Sequence, residues 1–501
     1  MDRRPRTVTR RARALAAALA ASLALGPAPA LAQIENLPKL GDPSGDELSP
    51  QAERRLGESV MREVRRDPSY LDDADVVDYL NRFAAPLVAT PAAGGQSFDF
   101  FAIADPSINA FALPGGFIGV HTGLLMAAES ESEVAAVLAH EIGHVTQRHI
   151  ARMLAQQKQV SMVALATTIL ALLAARANPQ AAMGGVMLGD SLARGSMLSF
   201  SREAEREADR VGFEMLRQAG FDSQAMVSFF MRLQQAGRFY ESNAPAYIRS
   251  HPLTGERIGD MQLRLRETRY RQRPDSLEFT LLRARLRATA DDSLEGRRAA
   301  RGIAEQSVRQ SPKAGPGPWY GLASIAFVQR DWPRVDAALA QAQALAGAPH
   351  PYFELLGARA RLGAGDARAA ADRAGRALAR FPDARGLARL QVEALVASGQ
   401  PAEGVRVARD HLLTWRGDAR LWQLLSQAHE ALGQRADAHR AAAEQYVLLG
   451  SPMSALDQLR RAQKAGDTDF YTASVIDARM RDVEADARRE FEESRQRGGP
   501  R

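Results

Sequence analysis

The sequence predicts an α+β domain, mostly helical with a small β-sheet, followed by an all-α solenoid of helix pairs. Three observations carry this. Short strand-like segments between residues 98 and 125 lie among longer segments of helical spacing. Near residue 280 the chain turns Ala-, Leu- and Arg-rich and keeps helical spacing to about residue 480. In that half the turn glycines Gly365, Gly399 and Gly433 recur at intervals of 34 residues.

The chain's 501 residues exceed one ordinary core. Its 46% apolar and 25% charged residues are the mix of a globular protein. The start stands apart. "MDRRPRTVTRRAR" carries six arginines and one aspartate, and a mostly apolar run of twelve residues follows, from Ala14 to Leu25. "ALA" at Ala30–Ala32 completes the pattern of a secretory signal peptide, residues 1–32, with cleavage after Ala32. The run is too short to span a bilayer, which needs roughly 20 residues. Without this segment 59 basic residues face 58 acidic ones, a net charge near +1. No nucleic-acid footprint remains. The chain has no cysteine, so its stability should not respond to reductant.

Gln33–Pro50 reads as an extended lead-in. Gln51–Leu87 has helical spacing through Leu56, Val60 and Val64, then Val76, Val77, Leu80 and Phe83. "FDFFAIAD" (Phe98–Asp105) reads as a strand, and Ile108–Leu125 as two more that meet at Pro114-Gly115-Gly116. Glu129–Leu154 reads as one strong helix, and residues 201–218 and 222–235 as two further ones. The stretch between, "VSMVALATTILALLAA" (Val160–Ala175), is uncharged. Its length favours a buried hairpin over a membrane-touching helix. The Gly- and Met-rich residues after it suit a lid. The 34-residue period of the second half is that of tetratricopeptide repeats, one helix pair each.

"AVLAHEIGHVTQRHI" (Ala136–Ile150) carries the chemistry. Residues four apart lie about 40° apart around a helix, so His140 and His144 share a face and can share a metal. Glu141 beside them completes H-E-x-x-H: two imidazoles hold zinc and the glutamate takes the proton from the attacking water. His149 is nine positions from His140, about 180° round the same helix, and should point away. A third ligand must come from elsewhere, because Ile150 stands where a downstream histidine would be needed. "SREAEREADRVGFEML" (Ser201–Leu216) offers Glu203, Glu205 and Glu207, all flanking its apolar stripe. Helical geometry disfavours Glu203 and does not choose between the other two.

H-E-x-x-H followed by E-x-x-A-D, here Glu205 to Asp209, resembles the gluzincin metallopeptidase family that includes HtpX and the CAAX prenyl proteases. "INAFALPGGFIGVHTGLL", "AHEIGHVTQRHIAR", "SREAEREADRVG" and "SHPLTGERI" are most similar to its BepA-like periplasmic members, which carry tetratricopeptide repeats. The resemblance implies one zinc per chain, with Glu205 as third ligand and Asp209 hydrogen-bonded to a ligating histidine. It implies that His251 can take the fourth position and hold the enzyme latent, and that Arg257 assists the oxyanion. It further implies that Asn109, Ala110, Phe111 and Ala112 form an edge strand that pairs with the substrate backbone.

The expected plan is a metallopeptidase domain over 33–280, repeats over 281–485 and a disordered charged tail over 486–501. The expected function is a periplasmic zinc endopeptidase for the assembly or quality control of outer-membrane proteins. Its partners would be misfolded or stalled envelope proteins and, through the repeats, an assembly machine; peripheral membrane contact fits the uncharged stretch. The rival is a chaperone or adaptor whose repeats bind clients. A pure scaffold, however, has no need of Glu141.

Overall fold

The computed structural model describes residues 49–156, 200–239, 246–310 and 315–497. The expected signal peptide, most of the expected lead-in, the uncharged stretch Val160–Ala175 and the segment expected to form a lid lie outside the described residues.

The chain enters on α1 (Pro50–Val64), where the Ser49 hydroxyl accepts from the Ala52 N–H and Pro50 opens the first turn. Its stripe of Leu56, Val60 and Val64 is buried. In α2 (Ala74–Val88) the Asp73 carboxylate caps the N–H groups of Asp75 and Val76. A three-stranded sheet follows: β1 (Asp99–Ile103), β2 (Ala110–Leu113) and β3 (Phe117–His121), in the order β1-β3-β2. β1 runs parallel to β3, with Phe100 opposite Ile118. β2 runs antiparallel to β3, with Ala110 opposite Val120. The β2–β3 turn needs its glycines. Gly115 has φ 75°, and a Cβ there would meet the Arg54 Cα at 2.6 Å.

After α3 (Thr122–Ala127) comes α4 (Glu131–Thr146), capped by Ser130 and buried from Glu131 to Val145. A helix buried on every side is the centre of a core. The single helix expected over Glu129–Leu154 is in fact two. Arg148 takes a left-handed conformation, φ 52°, and α5 (His149–Gln156) starts immediately after it. No glycine signals this break. α6 (Arg202–Ala219), α7 (Gln224–Phe239), α8 (Ala246–Ser250) and α9 (Gly255–Arg266) complete the site region.

From α10 (Leu277–Thr289) onward the described chain is helical. Pro351, Arg385 and Ala419 each open a helix pair, 34 residues apart. Gly365, Gly399 and Gly433 sit left-handed in the turns within those pairs. One hydrophobic core runs from Val76 to Ala360 and includes Phe279 and Leu282 of α10, so residue 280 falls inside a shared core. The solenoid also returns to the first helices: Arg389 pairs with Asp72 at 2.9 Å and Arg385 with Asp78 at 2.8 Å, and both arginines reach buried Asp418.

Of the tail expected to be disordered, residues 486–497 instead continue a helix, Phe470–Arg497. Ile476 and Val483 anchor that helix in a small core, and opposite charges four apart, such as Glu484 and Arg488, support its exposed length. Among the described residues no helix is long and apolar enough to cross a membrane.

Candidate metal centre

Two helices must approach closely to build the site, and two glycines permit it. A Cβ on Gly143 of α4 would stand 3.0 Å from the Ala208 carbonyl oxygen of α6. A Cβ on Gly212 of α6 would stand 3.0 Å from the His140 nitrogen. With nothing between them, α4 presents His140 and His144 to Glu205 and Asp209 on α6. The end of α8 adds His251, and the first turn of α9 adds Arg257.

All these side chains are buried. His140 Nε2 lies 3.0 Å from His144 Nε2 and 3.4 Å from His251 Nδ1. Glu205 Oε1 lies 2.9 Å from His251 Nδ1 and 3.5 Å from His144 Nε2. One ligand atom from each of His140, His144, Glu205 and His251 falls within 4.8 Å of all the others. Three imidazole nitrogens and a carboxylate oxygen converging this way suit a divalent metal such as zinc. Both carboxylate oxygens of Glu141 are buried beside them without a side-chain hydrogen bond, and His251 Nε2 stands 3.6 Å from Oε1. A buried carboxylate so weakly met is costly unless something else is meant to meet it.

Asp209 Oδ1 is 2.9 Å from His140 Nδ1, an ion-pair contact that would keep the proton on Nδ1 when His140 gives Nε2 to a metal. Arg257 grips both oxygens of Asp209, at 2.7 and 2.8 Å. Its Nη1 also donates to the Pro252 carbonyl at 2.8 Å and forms an ion pair with Glu205 Oε2 at 2.7 Å. The arginine expected to assist an oxyanion is thus engaged by Asp209, behind His140, and by Glu205.

The electrostatics follow from burial and pairing. Burial pushes Glu141 above its ordinary value, with His251 and His140 opposing. Burial alone would lower His140, but Asp209 and Glu205 outweigh it and hold it up at about 9. Burial and the nearby His140 push His144 well below its ordinary value. Burial would raise Glu205, yet His251 and His140 keep it ionised. Burial would raise Asp209 too, and hydrogen bonds from Arg257 and His140 overcome that.

Of the expected substrate strand, Ala110, Phe111 and Ala112 lie in β2, at the sheet edge. The Ala112 backbone N–H faces Glu141 and lowers it slightly against its burial. Asn109 stands just before the strand, fully buried, with its amide nitrogen 3.4 Å from His121 Nε2.

Two nearby residues escape the sequence reading. His149 is not on the far side: its Nδ1 lies 2.8 Å from His144 Nδ1. Tyr247 is buried, its ring stacks on His251 with centroids 4.7 Å apart, and its hydroxyl has no hydrogen-bond partner. Its place four residues before His251, on one helical face, is the signal that could have found it.

The model of peptidase family M48 matches residues 72–264. The beta-barrel assembly-enhancing protease of Escherichia coli strain K12 is 31% identical over 479 residues, covering 93% of this chain and 95% of that protein. A putative beta-barrel assembly-enhancing protease of Vibrio cholerae is 37% identical over 260 residues, 52% of this chain and 54% of that one. The mitochondrial metalloendopeptidase OMA1 of Schizosaccharomyces pombe is 30% identical over 219 residues, 42% and 61% of the two chains.

Proposed function

The chain belongs to peptidase family M48, and we propose that it is a zinc-dependent endopeptidase of the periplasm, acting on envelope proteins during outer-membrane β-barrel assembly or quality control. A metallopeptidase takes protein substrates, and the helical repeats beside the site give clients or an assembly machine a surface to dock on. Secretion would use residues 1–32, with the mature chain starting at Gln33. N-terminal sequencing that finds Met1 would contradict this.

The observation that carries the reading is the convergence of four ligand atoms beside the buried carboxylate of Glu141. His140, His144 and Glu205 would hold one zinc. When bound, zinc supplies Lewis acidity, lowering the pKa of water to about 7 and polarising a carbonyl. Glu141 accepts the proton from the attacking water at a carboxylate oxygen and passes it to the departing amine. Its burial raises its basicity for that task. β2, whose Ala112 adjoins Glu141, would pair with the substrate backbone and bring the scissile bond alongside. His251, held by its stack on Tyr247, would occupy the remaining ligand position at rest and keep the enzyme latent. Arg257 acts by positioning, because its donors serve Asp209, Glu205 and Pro252.

The test is metal content with cleavage. Purified protein should carry near-stoichiometric zinc and cleave an unfolded β-barrel protein, and a chelator should abolish the cleavage. Stoichiometric zinc in a His140→Ala/His144→Ala double variant would rule the site out.

A further inference from the structure

Glu207 lies two residues past Glu205 and turns away from the metal centre, toward α5. There it meets His149, which is 3% exposed and touches His144. We infer that His149, backed by Glu207 and Arg152, is a positioning residue that fixes the tautomer and ring orientation of His144 for metal binding. The inference rests on the metal-centre reading above.

The argument is one of proton direction. For His144 to present the Nε2 lone pair to the centre, its Nδ1 must carry the proton. That N–H donates to His149 Nδ1, 2.8 Å away. His149 must then carry its own proton on Nε2, which lies 3.1 Å from Glu207 Oε2 and donates to it. The same Glu207 oxygen accepts from Arg152 Nη2 at 2.6 Å. Each link permits one direction only, so the chain from Arg152 to His144 selects one tautomer at both imidazoles.

The other ligand histidine has a matching arrangement. His140 Nδ1 pairs with Asp209 at 2.9 Å, and Arg257 holds Asp209. Each metal-facing imidazole is therefore backed by an acceptor, and each acceptor chain ends on an arginine. The two differ in strength. Asp209 is a buried carboxylate gripped by both prongs of Arg257, whereas His149 is an imidazole reaching its carboxylate, Glu207, at 3.1 Å. His144 is the less firmly held of the two.

The backbone is bent to make this contact. On an unbroken helix His149 would lie about 140° round from His144. The left-handed Arg148, φ 52°, ends α4 and swings His149 back against it. A non-glycine residue takes that conformation only where the surroundings hold it, and the carboxylate of Glu53 stands 3.6 Å from Arg148 Nε.

Zinc affinity and zinc release rate, measured on the purified full-length chain by competition with a chelator, test this. His149→Phe fills the space but cannot accept the proton, and should weaken zinc binding ~10–100-fold with faster release. His149→Gln can accept from His144 Nδ1 through its amide oxygen and should recover most of the loss. His149→Phe binding zinc within about threefold of wild type would overturn the inference. So would His149→Gln binding as weakly as His149→Phe, since shape rather than the acceptor would then matter. If His149→Phe fails to fold, Glu207→Ala carries the test: its side chain is 38% exposed, and unchanged zinc release would again overturn the inference. A wild type that binds no zinc would sink the metal-centre reading itself, and this inference with it.

Discussion

Gly212 of α6 lies directly against His140 of α4, so that a Cβ at position 212 would stand 3.0 Å from the His140 backbone nitrogen. The contact is backbone to backbone, and no side-chain rotation can relieve it. Gly212→Val should push α6 off α4 and part Glu205 from the two histidines. We expect a loss of about 1–3 kcal/mol of stability from overpacking, together with loss of bound zinc. Thermal unfolding and elemental analysis check both. A variant with full zinc content and unchanged melting temperature would show that the close approach is not needed.

Glu141→Gln keeps the side chain's shape but cannot accept the proton. Proteolysis should fall by about 10²–10⁴-fold or more while zinc content and melting temperature hold. Undiminished cleavage would remove Glu141 from the mechanism. A variant that loses cleavage yet keeps its cellular role would favour the adaptor reading.

His251→Ala separates latency from catalysis. With three ligands left, zinc should stay bound and a position should open, so cleavage of a peptide, and of the enzyme itself, should rise at neutral pH. A fall in rate with zinc retained would mean that His251 serves turnover instead.

Arg257→Lys exchanges a planar two-pronged clamp on Asp209 for a point charge. If Arg257 acts by positioning, zinc affinity should drop together with activity, by ~10–100-fold. A loss of kcat with zinc affinity unchanged would return Arg257 to the oxyanion role.

His350 makes the union of the solenoid with the first domain sensitive to acid. It caps the helix Pro351–Gly363 by accepting from the Tyr352 N–H at 3.3 Å, which requires a neutral ring nitrogen. Burial, opposed by Glu278 and aided by Arg82, lowers its pKa from 6.5 to about 4. As pH falls the unfolded chain takes up this proton first. The contribution is therefore whole above pH 6.5 and is lost between 6.5 and about 4. His350→Asn keeps a capping side chain and does not titrate. Its melting temperature should fall less than that of wild type over that interval, and equal falls would clear His350 of the effect.

Helical periodicity alone determined that His140 and His144 share a face with Glu141 beside them, because a residue's direction around its own helix follows from 3.6 residues per turn. The repeats were legible for a similar reason: a glycine that must be left-handed marks each turn, and Gly365, Gly399 and Gly433 are. Periodicity could not choose between Glu205 and Glu207. That choice depends on how α6 is placed and rolled against α4, which the glycine contacts at 143 and 212 settle. They turn Glu205 toward the histidines and leave Glu207 to His149 and Arg152. The sequence placed His149 on the far side because nothing local marks Arg148 as left-handed; an arginine takes that conformation only when tertiary contacts outweigh its preference. Arg257 tells the same story. Its chemistry can be read from residue type, but its partner Asp209 lies 48 residues away, and only the packed chain brings those atoms together.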